Sequence, residues 1–186
     1  MRTQRWTSHD LELLPDNKRY DIVDGALYVS EQPDWQHQFV SGRLFAVLQA
    51  WSDQTLAGMA NFAPGIIFDD DDDVVPDVVW VSRERLRTAL QADGKLHSAP
   101  ELVIEVLSPG SENARRDREV KLKLYSRRGA DEYWIFNWQE RRIEVYRREE
   151  GLLALYKTLN ETDTLQSPLL PGFSCRVGQL FSSILK

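Results

Sequence analysis

Apolar positions change period along this chain of 186 residues, and the changes mark its elements. Two short stretches are apolar at nearly every position: Val74-Val75-Pro76-Asp77-Val78-Val79-Trp80-Val81 and Glu101-Leu102-Val103-Ile104-Glu105-Val106-Leu107. Short β-branched runs of this kind predict central strands of a sheet covered on both faces. Earlier, Arg19 to Val29 reads as a hairpin turning at Asp24-Gly25, with Asp21 alternating with Tyr20 and Ile22 and so facing away from them. Thr7-Ser8-His9-Asp10 has the capping-box pattern and opens a helix that ends before Pro15. From about Pro33 to Trp51 the period is helical; Val40, Leu44, Val47, Leu48 and Trp51 form one face, and His37 lies at the N-terminal end of that buried side. Phe62 to Phe68 returns to strand character, interrupted at Pro64-Gly65.

Beyond the second apolar run, a helix is predicted from about Asn113 to Arg128, with Gly129 as its C-cap. Asp117, Lys121 and Tyr125, spaced by four, share one face of it. Glu132–Asn137, Ile143–Arg147 and Leu152–Tyr156 read as an antiparallel meander with Tyr133 and Trp134 in the core, and Val177–Leu185 as a closing helix. The order predicts one α/β domain over residues 1–186, a mixed central sheet flanked by helices.

Composition narrows the class. A hydrophobic share of 42% with 28% charged residues is ordinary for a globular domain, and no apolar run approaches a membrane span. Met1 to Trp6 leads into acidic residues rather than an apolar stretch, so no signal peptide is expected and the cytoplasm is the expected location. Cys175 is the only cysteine, which excludes an internal disulfide and a thiolate zinc cluster within one chain. The formal net charge of −6 means that any nucleic-acid contact must come from a local basic patch. The densest such patch is Arg115, Arg116, Arg118, Lys123, Arg127 and Arg128 on the Asn113–Arg128 helix, with Arg115, Arg116 and Arg118 as candidate DNA contacts. The five consecutive aspartates Asp69 to Asp73 lack the alternating ligands and glycine of a calcium loop and predict a solvated turn between strands.

The two apolar runs each carry a carboxylate, Asp77 at the start of the first and Glu105 near the end of the second, 28 positions apart. Acids delivered together by adjacent strands suit a hard divalent cation. Such a pair could bind a metal that activates water for phosphodiester hydrolysis, act as acid and base on a sugar, or be structural and paired with arginine. Lys121, on the helix directly after the Glu105 strand, can reach back toward it and steady developing charge or the attacking water.

The motifs Tyr20-Asp21-Ile22-Val23-Asp24-Gly25, His37, Pro76-Asp77-Val78-Val79, Glu101 to Pro109, the Asp117/Lys121/Tyr125 helix, Gly129 and Glu132-Tyr133-Trp134-Ile135 occur in that order, followed by Leu170-Pro171-Gly172-Phe173 and Leu180-Phe181. In this order they resemble the Uma-two family of restriction endonucleases, within the PD-(D/E)xK nuclease superfamily. The resemblance implies a restriction-endonuclease-like fold and a divalent-metal-dependent endonuclease acting on DNA. It implies Mg²⁺ or Mn²⁺ held by Asp77, Glu105 and the Val106 carbonyl, with Asp77, Glu105 and Lys121 catalytic and Asp21, His37 and Asp117 supporting. The superfamily lysine normally stands two positions after the second acid, where this chain has Leu107; the resemblance implies that Lys121 takes its place. Asp21 stands where the family usually has glutamate, and Ala26 where it has an acid after the turn glycine. The departure at Leu107 and the acidic balance motivate an alternative, a binding or regulatory module that kept the fold without catalysis. The family resemblance and the aromatic late strands together make a homodimer an expectation.

Overall fold

The computed structural model describes residues 5–182, and its architecture turns on a break in one apolar run. The stretch Val74 to Val81, expected as one strand, is divided between two sheets: β5 is Asp72–Val74 and β6 is Val78–Ser82. Pro76 has no N–H to give a ladder, and the chain crosses from sheet to sheet there. Asp77 therefore sits in the joint rather than within a strand.

The smaller sheet is antiparallel. It contains β1 (Arg19–Val23), β2 (Ala26–Ser30), β4 (Ile66–Asp69) and β5 in the order β2-β1-β5-β4. The Asp24-Gly25 turn joins β1 to β2 with positive φ at both residues, 54° and 75°, as a tight hairpin requires. The larger sheet has the order β10-β9-β8-β7-β6-β3, with β3 Gly58–Phe62, β7 Leu102–Val106, β8 Glu132–Asn137, β9 Arg142–Glu149 and β10 Leu152–Leu159. Only β7 and β8 run parallel, as the helical crossover between them requires. The strand expected over Phe62–Phe68 is thus two strands in different sheets, parted at Pro64-Gly65. Gly58 hid the start of β3 from the pattern, yet it is required: a Cβ there would lie 2.3 Å from the Val81 carbonyl oxygen. A short pair, β11 (Thr164–Leu165) with β12 (Cys175–Arg176), completes the strands.

Both faces of the larger sheet are covered, which explains the unbroken apolar runs. On one face Val78, Trp80, Leu102, Ile104, Trp134 and Phe136 pack against Val40, Leu44 and Leu48 of the long helix α2, Trp35–Thr55. The C-terminal residues Leu170, Phe173, Leu180 and Phe181 close that face. Burying each such side chain contributes roughly 1.5–3 kcal/mol. The other face, with Val79, Val103, Tyr133 and Ile135, is covered by the Ser111–Arg128 helix and the smaller sheet. That helix is α4 (Ser111–Arg115), a π-helical segment Arg116–Lys121, and α5 (Leu122–Arg128), closed by Gly129 at φ 91°. The remaining helices are short: α1 (Ser8–Leu11), where Asp10 Oδ2 accepts from the Thr7 N–H and Oγ1 at 2.8 Å, α3 (Arg83–Ala89) and α6 (Val177–Phe181). Residues 183–185 of the expected closing helix and residues 1–4 lie outside the described residues. No helix among the described residues is long and apolar enough to cross a membrane.

Candidate active site

The antiparallel register of β6 and β7 pairs Val78 with Ile104, which brings Asp77 level with Glu105 on the sheet face that meets the Ser111–Arg128 helix. Side chains of β1 clip the joint that carries Asp77. Asp21 Oδ1 accepts from the Val75 N–H at 2.9 Å, and Arg19 Nη2 donates to the Val75 carbonyl at 3.0 Å. Arg19 Nη1 also donates to Asp77 Oδ1 at 3.1 Å.

Asp77 Oδ2 accepts from the Val106 N–H at 2.8 Å and lies 3.1 Å from His37 Nε2. His37 is placed there by the first turn of α2, where the Asp34 side chain caps the helix by accepting from the His37 N–H at 2.7 Å. The ring is buried, and its Nδ1 has no hydrogen-bond partner among the described residues. Burial works against the Asp77 anion, but the His37 ring, the Arg19 guanidinium and the Val106 N–H outweigh it and hold the carboxyl well below its usual range.

Glu105 is held differently. Its Oε1 accepts from Lys121 Nζ at 2.9 Å and from the Tyr125 hydroxyl at 3.0 Å, and no hydrogen bond from a described residue reaches Oε2. Lys121 Nζ reaches Asp21 Oδ2 at 3.0 Å as well. Burial pushes the Glu105 carboxyl up to about 8; Lys121 opposes the rise, while Asp77, Asp117 and Asp21 add to it. Burial disfavours the charged form of Lys121, yet Asp21, Glu105 and Asp117 overcome it and hold the ammonium well above its usual range. Within this coupled pair Lys121 keeps its proton, and Glu105 is the acid that a bound cation would ionise.

Asp117 is buried beside them. Its Oδ1 lies 3.5 Å from Arg116 Nε without a hydrogen bond, and burial raises its carboxyl against the pull of Lys121 and Arg116. The π-helical segment spans Arg116 to Lys121, so the wide turn lies where Arg116, Asp117 and Lys121 point at the sheet.

Four carboxylates, of Asp21, Asp77, Glu105 and Asp117, thus face three permanent cations, Arg19, Arg116 and Lys121. When all are ionised the cluster is one charge short of neutral on the negative side. The donor set fits a hard divalent cation. Among the described residues Glu105 Oε2 has no competing donor and Asp77 Oδ1 has only a side-chain guanidinium on it, and both are oxygens. The Val106 carbonyl leaves the strand on the same edge as the N–H that meets Asp77. A cleft of about 360 Å³ borders the cluster: Lys18 adjoins Arg19, Ser30 receives Arg116 Nη1 at 2.5 Å, and Ser108 follows Val106 by two.

Two surface expectations are corrected. The aspartate run does form the β4–β5 turn, at Asp70-Asp71, but it is not wholly solvated, since Asp72 and Asp73 are buried. Asp69, Asp71 and Asp72 bring their oxygens within 4.8 Å of one another, and arginines neutralise them. Arg128 holds Asp69 and Asp72, Arg127 holds Asp72 at 2.7 Å, and Arg5 pairs with Asp71. The basic helix does not present one surface either. Arg115 pairs with Glu119 at 2.9 Å, Arg118 forks onto Glu144 at 2.6–3.1 Å, and Arg116 turns inward to the carboxylates.

Arg19 was absent from the expected site residues, although strand alternation puts it on the face of Asp21. The inward turn of Arg116 has no comparable signal, because it depends on the π segment. Leu107, at the position of the missing lysine, is buried in the apolar cluster on the helix-covered face.

The mixed sheet, its paired strand-end acids and the helix lysine define a domain of the restriction-endonuclease-like fold. The chain belongs to the family described as "Uma2: Putative restriction endonuclease", whose model matches residues 7–178. Its fold is shared with the crystal structure of "a putative nuclease belonging to DUF820" from Anabaena variabilis: TM-score 0.74 and 17% identity, over 95% of this chain and 97% of that one. No curated protein matches the sequence.

Proposed function

We propose that the protein is a Mg²⁺- or Mn²⁺-dependent endonuclease that hydrolyses phosphodiester bonds of DNA. One observation supports the reading: Glu105 offers one oxygen to Lys121 at 2.9 Å and leaves the other without a donor among the described residues, beside an Asp77 fixed by the neighbouring strand. Asp77, Glu105 and the Val106 carbonyl would hold the cation. When bound, it supplies Lewis-acid polarisation of the phosphate and a water acidic enough to attack near neutral pH. His37 and the Val106 N–H keep Asp77 ionised and aimed. Tyr125 fixes the Glu105 rotamer, and Asp21 keeps Lys121 charged and in place. Lys121 then offsets charge that builds on the phosphate oxygens or orients the attacking water. Plasmid DNA incubated with Mg²⁺ or Mn²⁺ tests this: the parent cuts and Asp77→Ala loses on the order of 10³-fold. Equal cutting by the two proteins assigns the activity to another site or a contaminant.

A second reading, a nuclease-fold module without catalysis, is favoured by one observation: Arg19 already sits on Asp77 Oδ1. Calorimetry with Mn²⁺ separates the two, because binding that vanishes in Glu105→Gln belongs to the enzyme. As for self-association, Tyr133, Trp134 and Tyr146 are buried in the core, which leaves the exposed Leu152, Leu155 and Tyr156 of edge strand β10 as the face for a homodimer. Light scattering showing only monomer removes it.

A further inference from the structure

We propose that Arg19 is a cation substitute that changes partners: it holds Asp77 Oδ1 in the cation-free protein and moves to a nonbridging phosphate oxygen of the DNA strand when a divalent cation is bound. The inference rests on the hydrolase reading above and adds a phosphate-contacting residue to it.

The two oxygens of Asp77 are held unequally. Oδ2 is pinned by a backbone N–H and a buried ring, whereas Oδ1 is held only by the end of a long side chain. The Arg19 side chain is 28% exposed, against 6% for Asp77, 4% for Glu105 and 3% for Lys121, so it lies outermost in the cluster. Being the most exposed member, the guanidinium is the first of the cluster that a phosphate approaching from solvent meets. Charge points the same way. With the cluster one charge short of neutral, a divalent cation leaves a surplus of one positive charge, which repels the guanidinium from Asp77 and is balanced by a phosphodiester. A guanidinium presents two parallel donors suited to phosphate, which would replace its present bonds to Asp77 Oδ1 and the Val75 carbonyl.

Three measurements test the exchange, two of them on Arg19→Gln and Arg19→Lys. If the guanidinium covers Asp77 about nine-tenths of the time, its removal improves apparent Mn²⁺ affinity about tenfold. Arg19→Gln should therefore bind Mn²⁺ about tenfold more tightly by calorimetry, with Arg19→Lys close to the parent. Binding of a labelled DNA duplex in Ca²⁺ should weaken in Arg19→Gln, and its slope of log affinity against log salt should fall by about 0.9, the share of one phosphate contact; Arg19→Lys should restore the slope. In the unaltered protein the Arg19 Nε–H resonance should shift with Mg²⁺ and again with duplex, a readout that needs no folded variant. Mn²⁺ binding by the parent with no gain in Arg19→Gln, an unchanged salt slope, or a resonance indifferent to Mg²⁺ overturns this proposal alone. No Mn²⁺ binding by the parent overturns the hydrolase reading and this one with it.

Discussion

Replacing Lys121 with methionine removes the ammonium while keeping an unbranched side chain of similar length, so electrostatics change more than packing. Its nitrogen lies 2.9 Å from Glu105 Oε1 and 3.0 Å from Asp21 Oδ2. A unit pair at that distance is worth about 6 kcal/mol at an effective dielectric of 20 before desolvation is subtracted, and breaking a buried pair costs roughly 3–5 kcal/mol net. The loss depends on pH. The Glu105 carboxyl titrates near 8 in the folded protein and at its ordinary value, about 4.5, in the unfolded chain. The folded state therefore binds more protons across that window, and the group's contribution to stability is present below pH 4.5 and declines as pH rises toward 8. Without Lys121 the carboxyl rises further, so the decline continues at the same slope to higher pH, and the variant goes on losing stability above pH 8 where the parent levels off. Urea unfolding followed by tryptophan fluorescence should show Lys121→Met less stable than the parent by about 3 kcal/mol or more at pH 8.5, and by clearly less at pH 5.5. DNA cleavage under conditions where the variant is folded should fall about 10²- to 10³-fold. A variant as stable as the parent at pH 8.5, or one that cleaves normally, would refute the placement of this ammonium between the acids.

Other expectations follow from the same geometry. Mn²⁺ must displace the Glu105 proton, so its affinity should rise up to about tenfold per pH unit below 8 and level off above it, with proton release visible as buffer-dependent calorimetric heats; a pH-independent affinity contradicts this. His37→Ala removes a donor from Asp77 and should weaken Mn²⁺ binding about 10- to 100-fold, with partial recovery in His37→Gln; unchanged binding would make His37 a packing residue only. Asp72→Asn strips the shared partner from Arg127 and Arg128 and should cost about 1–3 kcal/mol while leaving Mn²⁺ affinity unaltered. A large loss of Mn²⁺ binding in Asp72→Asn would instead move the metal to the aspartate turn.

Much of the fold was legible because period and turn chemistry agreed. Asp24-Gly25 fixed a hairpin, the α2 face repeated at helical spacing, and runs apolar on both faces meant a doubly covered sheet. What escaped was set by tertiary contact. Pro76 is a local sign of a break in Val74–Val81, but nothing local says that the two halves join different sheets, and β3 is disguised by a glycine that only the proximity of Trp80 and Val81 explains. Of the site, Asp77, Glu105 and Lys121 were found as residues, and the structure brings all three together. The cation side was misread. Arginines that looked like a DNA-facing stripe on one helix are drawn off to other partners: Glu119 at helical spacing, which the sequence does encode, and Glu144 and the Asp69–Asp72 turn, 26 to 59 positions away, which it does not.

A crystal soaked in Mn²⁺ and measured at the manganese absorption edge addresses the central claim most directly. The account predicts one anomalous peak between Asp77 Oδ1 and Glu105 Oε2, within reach of the Val106 carbonyl, with Arg19 drawn away from Asp77. A peak at the Asp69–Asp72 turn instead, or saturating Mn²⁺ with no peak between the two acids, would contradict it.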